Sequence, residues 1–185
     1  MALILVYEDG TGKVDSNSYA QVPECDDYFD QHVYPAPWAT SAADKKAEAL
    51  IMATRVIDSQ YQFNGWRTTT TQALQWPRQN CPDPDRRPSG VYTPLLLGGS
   101  NYIESNVVPR GVVLATFEMA RELCAVDRTA APPGEGISAS WNDPSGTKYS
   151  KSDVRPIISH VAQALLSRFG ALIKERSGAV RLVRG

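Results

Sequence analysis

Apolar residues recur at helical spacing in four stretches of the chain. The clearest stripe runs through residues 47–61 and repeats an apolar side chain every three or four positions, which predicts an amphipathic helix. Ser41 or Thr40 is placed to cap the start of that helix. Similar stripes predict a third helix over residues 109–126 and a fourth helix over about 154–169.

A shorter pattern predicts a first helix nearer the N-terminus. Pro23 suits an early helical position, and the Pro-Ala-Pro sequence further along prevents the helix from continuing. We expect Tyr28, Phe29 and Val33 to face the core. Three acidic side chains of this helix are expected to face solvent, namely Asp26, Asp27 and Asp30.

The stretches between the predicted helices have the composition of extended segments and loops. Residues 62–79 favour extended backbone, with Trp66 and Trp76 as anchors on the core. Residues 80–108 are rich in Pro, Gly, Asp and Asn, so they predict a long loop or a β-hairpin excursion. Residues 137–151 predict two short strands around a turn.

Both ends of the chain lack a helical pattern. Residues 2–7 predict a short apolar strand or arm, and residues 174–185 are basic without an apolar stripe. We therefore expect a mainly α fold, a small bundle of about four helices with extended N- and C-terminal arms. One helical domain would cover residues 1–173, including the excursion at 80–108, and the basic arm would cover 174–185.

Charge is distributed unevenly along the chain, although the net charge is only −1. Residues 1–65 carry a net charge of −6, residues 66–147 carry −1, and residues 148–185 carry +6. Either the two ends meet different surfaces, or they pair with each other within the fold. No stretch has the length and apolarity of a membrane span, and the first residues lack the basic region of a signal peptide, so we expect no membrane partner.

The sequence carries no recognisable pattern of a catalytic or cofactor site. Gly12-Lys13 lacks the first glycine and the following hydroxyl residue of a phosphate-binding loop. His32 and His160 have no second ligand at metal spacing, and three widely spaced cysteines match no disulfide framework or zinc site. A catalytic pairing of Cys25 with His32, or of Cys124 with His160, stays open. We expect no enzymatic activity, no metal and no cofactor.

Basic residues near the C-terminus raise the question of nucleic-acid binding, because they can neutralise phosphates. They are Lys174, Arg176, Arg181 and Arg184, preceded by Arg155 and Arg168. Aromatic residues for base stacking do not alternate with them. The same arm can dock on an acidic protein surface, and this is the interpretation we prefer.

Several segments, taken in order, resemble one family of phage proteins. They are the opening LILVYEDGTGKVDSNSYA, the aromatic pair Tyr28–Phe29, Trp38 ahead of KKAEALIMATRVID, then FNGWRTTTTQALQWPR and the final VRLVRG. The chain resembles the head-to-tail adaptors (head-completion or connector proteins) of tailed bacteriophages, a family also described as DnaT-like single-stranded-DNA-binding proteins. Its most specific motif residues, with a structural role, are Trp66, Gln72, Leu74, Trp76, Pro77 and Arg78.

The resemblance implies a structural virion protein without catalytic residues. Twelve copies would form a ring under the portal, extend the DNA channel and provide the docking site for the tail. The implied partners are further copies of the chain, the portal protein, a tail or head-closure (stopper) protein, and the genomic DNA in the channel. The protein would lie in the neck of the virion after assembly in the host cytoplasm. The alternative is a DnaT-like single-stranded-DNA-binding module.

Two sets of residues are candidates for these contacts. The C-terminal arm would bind the portal or a neighbouring copy through Lys174, Arg176, Val180, Arg181, Leu182, Val183 and Arg184. The candidates for contacts between copies are Asp26, Asp27, Asp30, Arg155 and Arg168.

Overall fold

A computed structural model of the protein describes residues 3–85, 101–130, 139–140, 147–148 and 156–173. Within these residues lie four α-helices: α1 (Val22–Asp30), α2 (Ala43–Gln60), α3 (Arg110–Ala125) and α4 (His160–Leu166). The same residues form six short strands: β1 (Tyr61–Phe63), β2 (Trp66–Arg67), β3 (Arg78–Gln79), β4 (Ala139–Ser140), β5 (Thr147–Lys148) and β6 (Gly170–Leu172). The predicted mainly α fold with about four helices is confirmed.

The core lies between α2, α3 and α4. The helix α3 packs along α2 on one side and against α4 on the other. Leu50, Ile57, Phe117, Met119 and Leu166 are completely buried between these helices. Burying one such side chain contributes about 1.5–3 kcal/mol, so the contact among three helices supplies most of the stabilisation.

Strands β1 and β6 close one end of this core. The strand β1 follows α2 without a break and pairs antiparallel with β6, with Tyr61 opposite Leu172. A Cβ atom at Gly170 would lie 2.4 Å from the carbonyl oxygen of Gln62, so the close approach of the two strands requires glycine. The pairing ties the last described residues to the C-terminal end of α2.

The fourth helix begins six residues later than the apolar stripe predicts. The hydroxyl oxygen of Ser159 accepts a hydrogen bond from the backbone N–H of Ala162, which caps a helix that starts at His160. The guanidinium of Arg128 donates to the carbonyl of Ile157 and to that of the preceding proline. Those carbonyls therefore bind a side chain from the end of α3 and do not accept helical hydrogen bonds.

The end of α1 and the start of α2 also differ from the prediction. The helix α1 ends at Asp30, so Val33 lies beyond it and is 82% exposed, and its predicted place in the core is wrong. The hydroxyls of Thr40 and Ser41 both donate to the carbonyl of Pro37 and do not cap α2. The helix α2 begins without a side-chain cap.

The predicted excursion leaves and re-enters the body through an antiparallel pairing. Pro82 and Tyr102 form a bridge, and the N–H of Ile103 donates to the carbonyl of Cys81 at 2.9 Å. Residues 86–100 lie outside the described part of the chain. The two short strands predicted beyond the third helix correspond to β4 and β5, which pair antiparallel.

The N-terminal arm is extended and is held by the turn that follows it. Tyr7 forms a parallel bridge with Ser18. The carboxylate of Glu8 is buried and accepts hydrogen bonds at 2.8–3.0 Å from the N–H groups of Gly10, Gly12 and Lys13 and from the hydroxyl of Ser16. These bonds satisfy the buried charge and fix the turn in one conformation.

Candidate interaction surfaces

The segment Gln-Ala-Leu-Gln-Trp-Pro-Arg forms a compact loop that leads from β2 to β3. The side chain of Gln72 is buried, and its oxygen accepts from the N–H of Thr69 at 2.8 Å. Its nitrogen donates to the carbonyls of Leu74 and Pro77 at 2.9 and 3.0 Å. A buried amide with partners on both of its polar atoms fixes the loop in one arrangement.

Two further side chains of this motif hold the loop on the core. Trp76 is fully buried and packs edge-to-face on Phe63 and Phe169, so its prediction as an anchor is confirmed. The guanidinium of Arg78 is also largely buried. It donates to the carbonyl oxygens of Asn64, Phe63, Gly65 and Gln75.

A tyrosine–aspartate pair, which we call the latch, joins this loop to α2. The hydroxyl of Tyr19 donates to the carboxylate of Asp58 and accepts from the N–H groups of Gln75 and Trp76. The second carboxylate oxygen of Asp58 accepts from the N–H of Gln75 at 3.0 Å. Burial raises the pKa of Asp58 to about 6, and its hydrogen bonds to Tyr19 and Gln75 limit the rise.

The two residues of β2, Trp66 and Arg67, are both exposed, and we call them the β2 face. The prediction that Trp66 anchors on the core is wrong, since its side chain is 56% exposed. Trp76 takes the buried position against Phe63 and Phe169, and Arg78 lies opposite Arg67 on the paired strand β3. No acidic residue occurs in positions 59–82, so the indole and the guanidinium lie in a stretch without negative charge.

The first of the three predicted solvent-facing aspartates has a role inside the fold. The carboxylate of Asp26 accepts from the indole N–H of Trp38 at 2.8 Å and from the ammonium group of Lys46 at 2.7 Å. Lys46 lies in the first turn of α2, so this pair fixes α1 at the N-terminal end of α2. Asp26 is therefore a structural residue as well as a charged surface residue.

The other two aspartates lie on a surface that also exposes apolar side chains. Asp27 and Asp30 are exposed, and Val33 and Tyr34, just beyond the end of α1, are 82% and 73% exposed. We call these four residues the α1 face. The guanidinium of Arg121 in α3 donates to the carbonyl of Tyr34 and holds this segment in place.

A buried carboxylate, Glu118, joins α1 to α3. It accepts from the hydroxyl of Tyr28 at 2.7 Å and from the guanidinium of Arg121 at 2.8 Å, and Nε2 of His32 lies 3.7 Å away. Burial and the bond to Glu118 raise the pKa of Tyr28 to about 12. Both oxygens of the carboxylate have partners, so this cluster acts as a connection between helices.

An open cleft of about 860 Å³ lies between the base of the excursion, α3 and α4. Its lining combines apolar side chains with acids, among them Ile103, Leu114, Leu165, Phe169, Asp83 and Glu104. Arg168, one of the predicted contact residues, lies at this cleft and is exposed, and it pairs with Asp85 at 3.0 Å. Arg168 therefore already has an acidic partner within its own chain.

The remaining predicted contact residues lie outside the described part of the chain. They are Arg155, Lys174, Arg176, Val180, Arg181, Leu182, Val183 and Arg184. Over residues 3–85, 101–130 and 156–173 the chain has sixteen acidic and ten basic side chains, a net charge of −6. The rest of the chain carries nine basic and four acidic side chains, which brings the net charge of the whole chain to −1.

The described residues form neither a metal site nor a membrane-spanning helix. Among them, no group of three or more His, Cys, Asp or Glu side chains is arranged to hold a metal ion. The three cysteines are buried as free thiols, and burial raises the pKa of Cys25 and Cys81. No helix of the described part has the length and apolarity to cross a membrane.

The complete chain matches one protein-family model. Residues 1–185 match the family described as "Putative DnaT-like ssDNA binding protein". The chain belongs to this family. No curated protein and no solved structure matches it. The match confirms the DnaT-like part of the resemblance, while the description does not mention a phage adaptor.

Sequence patterns did not single out Arg67, Val33 or Tyr34 as surface residues. The run without acids at 59–82 is the signal that points to the β2 face. The exposure of Val33 and Tyr34 depends on where α1 ends, and a helical stripe locates that boundary only to within a few residues.

Proposed function

We propose that this protein is a non-enzymatic head-to-tail adaptor of a tailed bacteriophage. In this proposal, twelve copies form a ring under the portal protein, extend the DNA channel and give the tail or a head-closure protein its docking site. The ordered resemblance of its segments to such adaptors, from LILVYEDGTG to VRLVRG, supports the proposal. The protein would lie in the neck of the virion.

The observation that carries this proposal is a set of large apolar side chains on the surface of the described residues. The net charge of the whole chain is only −1, so its overall charge gives nucleic acid little attraction. Exposed aromatic and aliphatic side chains, Trp66, Val33 and Tyr34, are typical of the centres of protein–protein contacts. A ring component needs such contacts and needs no catalytic residue.

The basic arm at 174–185 then has a protein partner. We propose that its charged and apolar residues, from Lys174 to Arg184, bind the portal or a neighbouring copy. Deleting 174–185 should stop the joining of filled heads to tails, because the arm would no longer connect the ring to its partner. Heads that accept tails normally without these residues would show that the arm has another role.

A second candidate is a single-stranded-DNA-binding protein. The family description supports this candidate more directly than it supports the adaptor. Trp66 and Arg67 are an exposed aromatic and an exposed cation in a stretch without acids, which suits the stacking of a base. Each stacked base contributes about 1–3 kcal/mol in proteins of that kind.

Removing the gene from its phage tests the adaptor directly. We expect DNA-filled heads without tails in electron micrographs, and normal particles when the intact gene is supplied in trans. The purified full chain should bind a fluorescent oligothymidine weakly at low salt. Tailed particles from the deletion strain, together with tight binding that weakens steeply with salt, would favour the second candidate.

A further inference from the structure

We infer that the β2 face of one copy docks on the α1 face of a second copy. Trp66 and Arg67 would meet Asp27, Asp30, Val33 and Tyr34 of the neighbour. This inference rests on the proposed ring, and it names the surfaces through which the copies would join.

The two faces lie at opposite ends of the longest helix. The bond between Asp26 and Lys46 places the middle of α1 beside the first turn of α2. Arg121, near the C-terminal end of α3, donates to the carbonyl of Tyr34 just beyond α1. The β2 face follows the last turn of α2 after five residues of chain. Because α2 has 18 residues, its ends are about 27 Å apart.

This separation excludes a contact between the two faces within one copy. A contact between two different surfaces at opposite ends of a molecule is a head-to-tail contact. Repeated contacts of this kind produce a ring when the rotations from one copy to the next add up to a full turn. A contact that uses the same surface twice would stop at a dimer. The placement of the two faces therefore fits a ring.

The faces are complementary in charge and in apolar character. The β2 face offers one exposed cation, Arg67, which donates one hydrogen bond to the carbonyl of Gln72 and interacts electrostatically with Asp58. Its remaining N–H groups can meet a carboxylate of a neighbouring copy. Glu104 lies beside Ser105, whose carbonyl accepts from Thr68, but Glu104 lines the separate cleft. The α1 face offers the two exposed carboxylates Asp27 and Asp30.

Each of the two faces also exposes large apolar side chains that could pack against the other face. The indole of Trp66 is 56% exposed and is held on a strand whose neighbour β3 is fixed by Arg78. Val33 and Tyr34 are the most exposed large apolar side chains of the described residues. Exposed Trp, Tyr and Arg residues account for many of the strongest contacts in protein interfaces.

Charge reversal of both faces provides the test. Sedimentation of the full chain should show self-association below about 1 mM. Arg67→Glu or Asp30→Arg should each raise the dissociation constant at least about tenfold, because each places like charges opposite one another. The combination of both changes in one chain should restore association to within about threefold of the wild type.

Two further variants keep the result interpretable. Arg55→Glu makes the same charge change at an exposed position of α2 that belongs to neither face, and it should associate like the wild type. Trp66→Ala leaves the charges in place and should weaken association by a similar factor. Circular dichroism establishes that each variant is folded.

Several outcomes would overturn the inference. A wild type that is monomeric at about 1 mM would do so, and so would association that survives Arg67→Glu and Trp66→Ala. Loss of oligothymidine binding in Trp66→Ala, without any change in association, would assign the β2 face to DNA. Rings that form through other residues would refute these faces but leave the adaptor intact, whereas tailed particles without the gene would refute the adaptor itself.

Discussion

Replacing Asp58 with asparagine tests whether the pKa of this carboxyl is raised in the folded protein. Asp58 accepts from the hydroxyl of Tyr19 and from the N–H of Gln75 and is only partly exposed to solvent. An asparagine has nearly the same shape and keeps a carbonyl oxygen as acceptor, but it does not titrate. The variant therefore removes the ionisation and retains much of the packing.

The size of the expected change in the free energy of unfolding follows from the raised pKa of Asp58. Its rise from the ordinary 3.8 to about 6 corresponds to about 3 kcal/mol between the two protonation states. The folded protein holds this proton more tightly than the unfolded chain. The contribution of Asp58 to stability is therefore greatest below about pH 4 and is lost as the pH rises through about 6.

Urea denaturation of both proteins at pH 4 and at pH 7 measures the effect. The free energy of unfolding of Asp58→Asn, relative to the wild type, should rise by about 2–3 kcal/mol between these pH values. Asp44→Asn, at an exposed position in the first turn of α2, is the matched control and should show little such change. If the free energy of unfolding of Asp58→Asn relative to the wild type is the same at pH 4 and at pH 7, the argument that burial raises the pKa of this carboxyl is wrong.

Three other substitutions test the packing of the body through their free energies of unfolding in urea. Trp76→Ala should cost about 3–5 kcal/mol because the ring is completely buried, and a loss below about 1 kcal/mol would contradict that burial. Gly10→Ala should cost at least about 2 kcal/mol, since its φ is +101° and the new Cβ would lie 1.9 Å from the carbonyl oxygen of Asn106. Glu8→Gln should cost about 1–3 kcal/mol because an amide cannot accept all the hydrogen bonds of the buried carboxylate, whereas Ser16→Ala, which removes one of them, should cost less.

The helices that form the core could be predicted because their apolar stripes are long. The predicted third helix at 109–126 differs by one residue at each end from Arg110–Ala125. The fourth was predicted too early because residues 154–158 continue an apolar pattern. The decisive contact, from Arg128 to the carbonyl of Ile157, joins residues 29 positions apart, and periodicity carries no information about it.

Sequence patterns could not predict which of the two tryptophans, Trp66 or Trp76, is buried. Trp66 and Trp76 are equally apolar, and the sequence predicts both as anchors. Trp76 packs edge-to-face on Phe63 and Phe169 in the core, while Trp66 lies exposed on a strand of two residues. Which of the two is buried depends on contacts between distant parts of the chain, which exist only when it is folded.

The polar network of the motif region explains how an exposed indole can serve as a binding residue. A strand of two residues has too few contacts to fix Trp66 by itself. Arg78 and Gln72 supply the missing rigidity, because Arg78 binds the carbonyl of Gly65 just before β2 and Gln72 binds the carbonyl of Pro77 just before β3. A side chain that is already ordered loses less conformational entropy when it docks, so more of its contact energy remains as affinity. The same ordering would aid docking on a neighbouring copy and on a base. The exposed carboxylates Asp27 and Asp30 of the α1 face would give the guanidinium of Arg67 a counter-charge on a neighbouring copy, which favours that partner.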